Sequence, residues 1–157
     1  MWCLIYLSSA TRELMTRDGL ADLMRACRAA NEAAGVTGLL LYAGGNIMQV
    51  LEGERDAVEA LYRRIERDPR HGRVTRVIDF GIGERQFPNW SMALRDIGDL
   101  PPAERARCGE LMAGGGREVD PGRLRDEVTV LLEAFREAVR APRGGDGPGR
   151  APRTWLP

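Results

Sequence analysis

The stretch "VTGLLLYAGGNIMQVLEG" constrains the fold most: two β-rich apolar runs joined by Ala43-Gly44-Gly45-Asn46. Paired glycines between such runs mark a tight hairpin, because the turns that match strand twist need positive φ at their centre. Residues 36–42 and 46–52 are therefore expected to pair antiparallel, and the rest of the chain has to be laid around that pair.

Upstream, residues 2–8 form a β-rich run, and Asp18 opens a helix that reaches about Ala34 and is stopped by Gly35. Its apolar stripe is Leu20, Leu23, Met24 and Cys27. Downstream, a second helix from about Glu54 to Arg67 turns Val58, Leu61, Tyr62 and Ile65 inward, and Pro69 ends it. "RVTRVIDFGIG" and "WSMALRD" read as a fourth and a fifth strand, separated by the loop Glu84 to Asn89. The order predicts an α+β fold, a ferredoxin-like βαββαββ sandwich with a five-stranded mixed sheet and both helices on one face.

The central strands are apolar on both faces, since Cys3, Ile5 and Leu7 alternate with Leu4 and Tyr6, and "LLLY" does not alternate at all. The second face therefore needs a cover. The C-terminal third is expected to supply it, with a short helix from Pro101-Pro102 to about Met112 and a longer one from Asp120-Pro121 to about Arg140. The longer helix carries Leu124, Val128, Leu131, Leu132, Phe135 and Val139 as a wide stripe. Beyond Pro142, "RGGDGPGRAPRTWLP" is too rich in Gly, Pro and Arg to pack and reads as a disordered tail. The expected layout is a domain over 1–97, a helical extension over 98–141 and the tail over 142–157.

Against this apolar pattern three polar side chains stand out. Tyr6 and Gln49 occupy strand positions of like parity, Gln49 between Ile47 and Leu51, and Asn31 lies four residues after Cys27 on the inward side of the first helix. A buried polar group left unsatisfied costs about 1–3 kcal/mol, so such groups need each other, water or a polar ligand. If their face is the one beneath the helices, they converge between the two helices, beside Arg64 and Asp68. A phenol and two amides match a heteroaromatic ring edge with mixed donors and acceptors.

Each signal has a plainer reading. Tyr6 could be a packing residue, Gln49 an edge residue, Asn31 a helix cap, Arg64 and Asp68 an i, i+4 surface ion pair, and His71 a turn residue after "DPR". Trp90 and Met92 could simply be core.

Composition narrows the chemistry. Lys+Arg and Asp+Glu both number 23, so nothing in the net charge favours nucleic acid or a membrane surface. All the basic side chains are arginine, which excludes Schiff-base chemistry and a lysine-bearing phosphate loop. The single histidine rules out a histidine-rich metal cage. Cys3, Cys27 and Cys108 are widely spaced without a C-x-x-C pair, as suits a reducing compartment. With no apolar run near the roughly 18 residues of a membrane span and no signal peptide, the expected location is cytoplasmic.

Four blocks, "LIYLSSAT", "ANEAAGVTGLLLY", "MQVLEGERDAVEALYRRIERDPRH" and "RQFPNWSMAL", resemble the blue-light-using-flavin (BLUF) domain family over about residues 2–97, in its order and at nearly its spacing. The resemblance implies FAD held between the two helices with its pyrimidine edge toward the sheet, FMN or riboflavin being conceivable substitutes. It makes Tyr6 the photoactive tyrosine and Gln49 the amide that bridges it to the flavin. Asn31 would bond the pyrimidine edge, Ile65 and Leu23 would pack on the ring, Arg64 and Asp68 would lie near the ribityl chain, and His71 would be a phosphate-side candidate. Trp90, Ser91 and Met92 would form the relay in the fifth strand, with the inward member of that segment left open.

Two departures stand out: Ala30 replaces a common polar residue and Ile47 a common aromatic one. The first removes a possible flavin hydrogen bond and bears on ground-state absorption or recovery rate. Neither touches the tyrosine–glutamine pair.

The function implied is a short stand-alone blue-light photoreceptor and not an enzyme. Electron and proton transfer from Tyr6 would leave Gln49 rearranged, shifting absorption to the red, and the signal would pass through the C-terminal helices. A homo-oligomer and a separate downstream signalling protein are the expected partners, with neither nucleic acid nor membrane. Two other readings stay open at this point: a flavin-free interaction module on the same fold, and a flavin-dependent redox enzyme. The second lacks a G-x-G-x-x-G or a substrate acid–base pair.

Overall fold

The computed structural model describes residues 1–11, 17–89, 93–99 and 102–113, and residues 122, 126, 129 and 130. In chain order the elements are β1 (Trp2–Ala10), α1 (Arg17–Ala34), β2 (Thr37–Ala43), β3 (Asn46–Gly53), α2 (Arg55–Glu66), β4 (His71–Gly81), β5 (Ala93–Asp96), a 3-10 turn (Ile97–Asp99) and α3 (Pro102–Ala113). The sheet has five strands in the order β4-β1-β3-β2-β5. All neighbours pair antiparallel except β2 and β5, which run parallel, so the sheet is mixed as expected.

The hairpin forms where the glycines place it. Gly44 and Gly45 both have positive φ, 50° and 93°, and Ala43 pairs with Asn46 across the turn. The strands then approach so closely at Gly38 that a Cβ there would sit 1.9 Å from the carbonyl oxygen of Val50, so only glycine fits. At the end of α1 the N–H of Val36 donates to the carbonyl of Asn31 at 2.8 Å and that of Gly35 to Glu32 at 3.2 Å. With Gly35 at φ 62° this is a Schellman closure, and it meets the helix's last acceptors from the backbone. The helix end is therefore closed by the backbone and does not require the Asn31 amide.

Side-chain parity divides the core in two. Leu4, Tyr6, Leu40, Tyr42, Ile47 and Leu51 face α1 and α2, where Leu23, Met24, Val58, Leu61, Tyr62 and Ile65 meet them. Cys3, Ile5, Leu39, Leu41, Met48 and Val50 face the other way, against Phe87, Ile97 and Cys108. Cys108 belongs to α3, so the C-terminal extension does contribute to the cover of the second face. The remainder of the longer helix expected over 120–140 lies outside the described residues, as does the tail with Trp155; residues 122, 126, 129 and 130 are helical.

Strand ends shift by one or two residues from the sequence expectation, and one shift bears on the site. β4 starts at His71, not Arg73, because β1 runs on to Ala10 and pairs Ala10 with His71 and Ser9 with Gly72. His71 is therefore the first residue of a strand, 9% exposed, and not a turn residue.

Candidate functional site

Tyr6 and Gln49 stand directly opposite each other in the β1–β3 ladder, so both side chains leave the sheet on the same face. The Tyr6 hydroxyl donates to Oε1 of Gln49. Both are sealed from solvent, Tyr6 at 0% and Gln49 at 2% exposed, and Asn31 on α1 is buried on the same side at 1%. Burial pushes the Tyr6 phenol well above its ordinary pKa, with Cys27, Tyr62 and Asp68 adding to the shift. It is a neutral phenol at any physiological pH and holds its proton along the bond to Gln49.

Around this pair the structure gathers two further rings. Tyr62 of α2 meets Tyr6 edge-on with centroids 5.7 Å apart, and His71 does so from β4 at 6.4 Å. His71 Nδ1 shares a 3.1 Å hydrogen bond with the Ser8 hydroxyl, another buried group of the same face. Burial lowers the His71 pKa, against the pull of Asp68, which favours the neutral imidazole. Ser8 was legible only as the next residue of Tyr6's parity, and its role depends on where β4 docks.

At the end of α2, Asp68 and Arg64 do not supply the surface pair that their spacing allows. Arg70 engages the Asp68 carboxylate with its backbone N–H at 3.0 Å and with Nε at 2.9 and 3.1 Å. These bonds to Arg70 hold the Asp68 carboxyl below its usual range. The signal was local: an aspartate side chain accepting from the N–H two residues on is an Asx turn, and "DPR" is a typical setting for one. Arg64 lies exposed on α2, close enough to Cys27 for its charge to bear on that thiol together with Asp68 and Arg70.

Leu23 and Ile65, buried at 1% and 9%, come from the two helices into the same core cluster as Tyr6. Trp90, Ser91 and Met92 lie outside the described residues. Among the described residues no cluster of three or more His, Cys, Asp or Glu could hold a metal ion, and no helix is long and apolar enough to cross a membrane.

The second face carries a polar group that the sequence reading passed over. Glu52, 0% exposed, points away from α1 and α2 and accepts the N–H of Gln86 at 3.2 Å and of Phe87 at 3.0 Å. Burial raises its pKa, and the two N–H donors and the nearby Arg85 oppose the rise. A carboxylate three residues beyond Gln49 in an apolar strand was the available clue.

The donor set of the first face suits a flavin. Each amide offers one carbonyl and two N–H groups, the mixed donors and acceptors of a ring edge, and Gln49 accepts from Tyr6 at Oε1. The aliphatic Leu23 and Ile65 suit the ring's faces.

Comparison with known proteins agrees. At 43% identity over 90 residues the chain is similar to the photoactivated adenylate cyclase subunit beta of Euglena gracilis, the match covering 57% of this chain and 10% of that protein. It is also similar to the blue light- and temperature-regulated antirepressor BluF of Escherichia coli (strain K12), 36% identical over 67 residues, 43% of this chain and 17% of that one. The chain thus spans only a small part of the length of these curated relatives. Among solved structures, BlrB, a BLUF protein in its dark state, superposes with a TM-score of 0.66 at 31% identity, covering 87% of this chain and 96% of that one. The photo-activated state of BlsA does so with a TM-score of 0.67 at 26% identity, over 83% and 94%. The family model describes blue-light sensors, and the cyclase activity in the Euglena relative's name belongs to a protein of which this chain matches 10%. Since the family model described as "Sensors of blue-light using FAD" matches residues 1–93, well over half of the chain, the protein belongs to the BLUF family of blue-light photoreceptors.

Proposed function

We propose that this protein senses blue light through FAD held non-covalently between α1 and α2, with Tyr6 and Gln49 as the photoactive pair. The observation that carries this is the buried hydrogen bond from the Tyr6 hydroxyl to Gln49 Oε1 on the face covered by those two helices. Bound there, the flavin supplies absorption of blue light and, once excited, an acceptor for one electron and one proton.

The residues do the rest. Tyr6 is the donor, and its neutral, fully buried phenol delivers its proton along the existing bond to the Gln49 amide. Gln49 is the amide bonded to the phenol, able to accept from it and donate elsewhere, and then exchange those roles. After the proton returns, the amide stands rearranged, a state that reverts in the dark. Asn31 would hold the pyrimidine edge, Leu23 and Ile65 would pack on the ring, and Arg64, Asp68 and His71 would serve the side chain of the cofactor. Sealing by α1 and α2 keeps water from competing for the Tyr6 proton.

The output is a changed surface. In this reading residues 1–97 form the sensor and 98–141 the transmitting extension, acting on a second copy of the chain or on a separate signalling protein in the cytoplasm, with no part for nucleic acid or membrane. Trp90, Ser91 and Met92 relay the change into β5. A light-minus-dark absorption spectrum of the purified, flavin-loaded protein tests the reading: a reversible red shift is expected, and a flavin spectrum unchanged by light overturns it.

A further inference from the structure

β4 and β5 are opposite edges of the sheet, so the segment joining them has to pass across the molecule. Its described part, residues 82–89, lies against the second face: Phe87 is 2% exposed in the cluster with Cys3, Leu39 and Cys108, and Ile82 packs on the same cluster. Two side chains pin this strap. Arg85 donates to the carbonyl of Gly35 at 2.6 Å and to the Thr37 hydroxyl at 3.0 Å, and Glu52 accepts the N–H groups of Gln86 and Phe87.

The two anchors are not alike. The Arg85 contacts are partly open to solvent, and water can replace them. Glu52 is wholly buried, and the strap supplies the N–H groups that offset removal of its charge from water. Carboxylate and strap therefore hold or fail together. A cavity of about 250 Å³, lined by Cys3, Glu52, Phe80, Ile82, Gln86 and Thr129, adjoins the contact, so the strap is not close-packed on that side. Glu52 is also carried by β3, the strand that presents Gln49 to the opposite face.

We propose that Glu52 is a latch that holds the strap between β4 and β5 closed over the second sheet face, and that the strap is what the sensor releases on illumination. The second half of this statement rests on the photosensor reading; the first does not. Closed, the strap keeps Phe87 over Cys3 and Cys108. Open, it uncovers both thiols and loosens the approach to β5 and α3.

The three cysteines report on this directly, because Cys3 and Cys108 lie in the second-face core while Cys27 lies on α1 against the first. The full chain, Glu52→Gln and Arg85→Ala are treated in the dark with N-ethylmaleimide, and labelling is followed at each cysteine by mass spectrometry. In Glu52→Gln the labelling of Cys3 and Cys108 relative to Cys27 is expected to rise by about tenfold, the effect of losing one charge-assisted hydrogen bond. Arg85→Ala is expected to raise it less. Unchanged ratios in Glu52→Gln, or acceleration shared equally by Cys27, overturn the latch, the second outcome making Glu52 a residue of general stability. The same ratio is then read in flavin-loaded protein under blue light with its absorption spectrum. A red shift with selective labelling supports release by light, and a red shift without it overturns that link. No shift at all overturns the photosensor reading, and the dark comparison alone then judges the latch.

Discussion

The two faces of this sheet are made by the same strands and differ in how their buried polar groups are satisfied. On the face beneath α1 and α2, Tyr6, Gln49, Asn31, Ser8 and His71 come from four separate elements and are all buried. On the other, Glu52 is the buried charge among the described residues, and backbone donors of the same chain engage both its oxygens. A polar set that converges between two helices is suited to recognising a ligand, whereas a carboxylate paired with its own loop is suited to holding the fold. Parity alone separates these tasks: Gln49 and Glu52 are three residues apart on β3 and point to opposite sides.

The largest effects expected are on light response, and they should be confined to the first face. Tyr6→Phe is expected to keep bound flavin and lose the red shift entirely, because the ring still packs while the proton donor is gone. Gln49→Leu should do the same. A normal shift in either variant, recorded by difference spectroscopy, breaks the assignment of the pair.

Next come paired truncations across the sheet. Leu51→Ala beneath the helices and Leu41→Ala on the far side both empty fully buried positions and should each destabilise by about 2–5 kcal/mol, measured by urea denaturation. Only Leu51→Ala should also weaken flavin binding. Equal losses of affinity would show that the two faces are not functionally separate.

Asn31→Ala removes hydrogen bonds worth about 0.5–1.5 kcal/mol net each, so a several-fold loss of flavin affinity is expected from titration, with the photocycle retained. Unchanged affinity would return Asn31 to a packing role.

The smallest effects are on the pH dependence of stability, where the faces should slope in opposite directions. Burial depresses the pKa of His71, so its contribution is present above the ordinary value of 6.5 and is lost as pH falls through its lowered folded value. Burial raises that of Glu52, so its contribution is present below the ordinary 4.5 and is lost as pH rises through the folded value. Thermal melts between those limits, compared with His71→Gln and with Glu52→Gln, should each lose one slope. A variant that retains its slope shows that another group sets it.

Much of the fold was legible because its cues are local. The inward residues of α2 follow from a 3.6-residue period, the Gly44-Gly45 turn from its need for positive φ, and the end of α1 from Gly35. The site was legible in part for the same reason: Tyr6 and Gln49 have matching parity, and Asn31 lies on α1's inward stripe. α1 starts at Arg17, one residue before the Asp18 the sequence pointed to, while the segment Trp90 to Met92 falls outside the described residues, so its expected role stands as a proposal.

What the sequence by itself determined, then, is the identity and order of the elements and which side chains share a face, since these depend on backbone propensity and side-chain period within one segment. Tertiary structure alone decided that Tyr6 stands opposite Gln49, that β4 begins early enough to bring His71 to Ser8, and that Glu52 meets a loop more than thirty residues away. Such meetings are set by strand register and by how edge strands and their connections close around a core, a balance of burial over the whole molecule that no single segment contains.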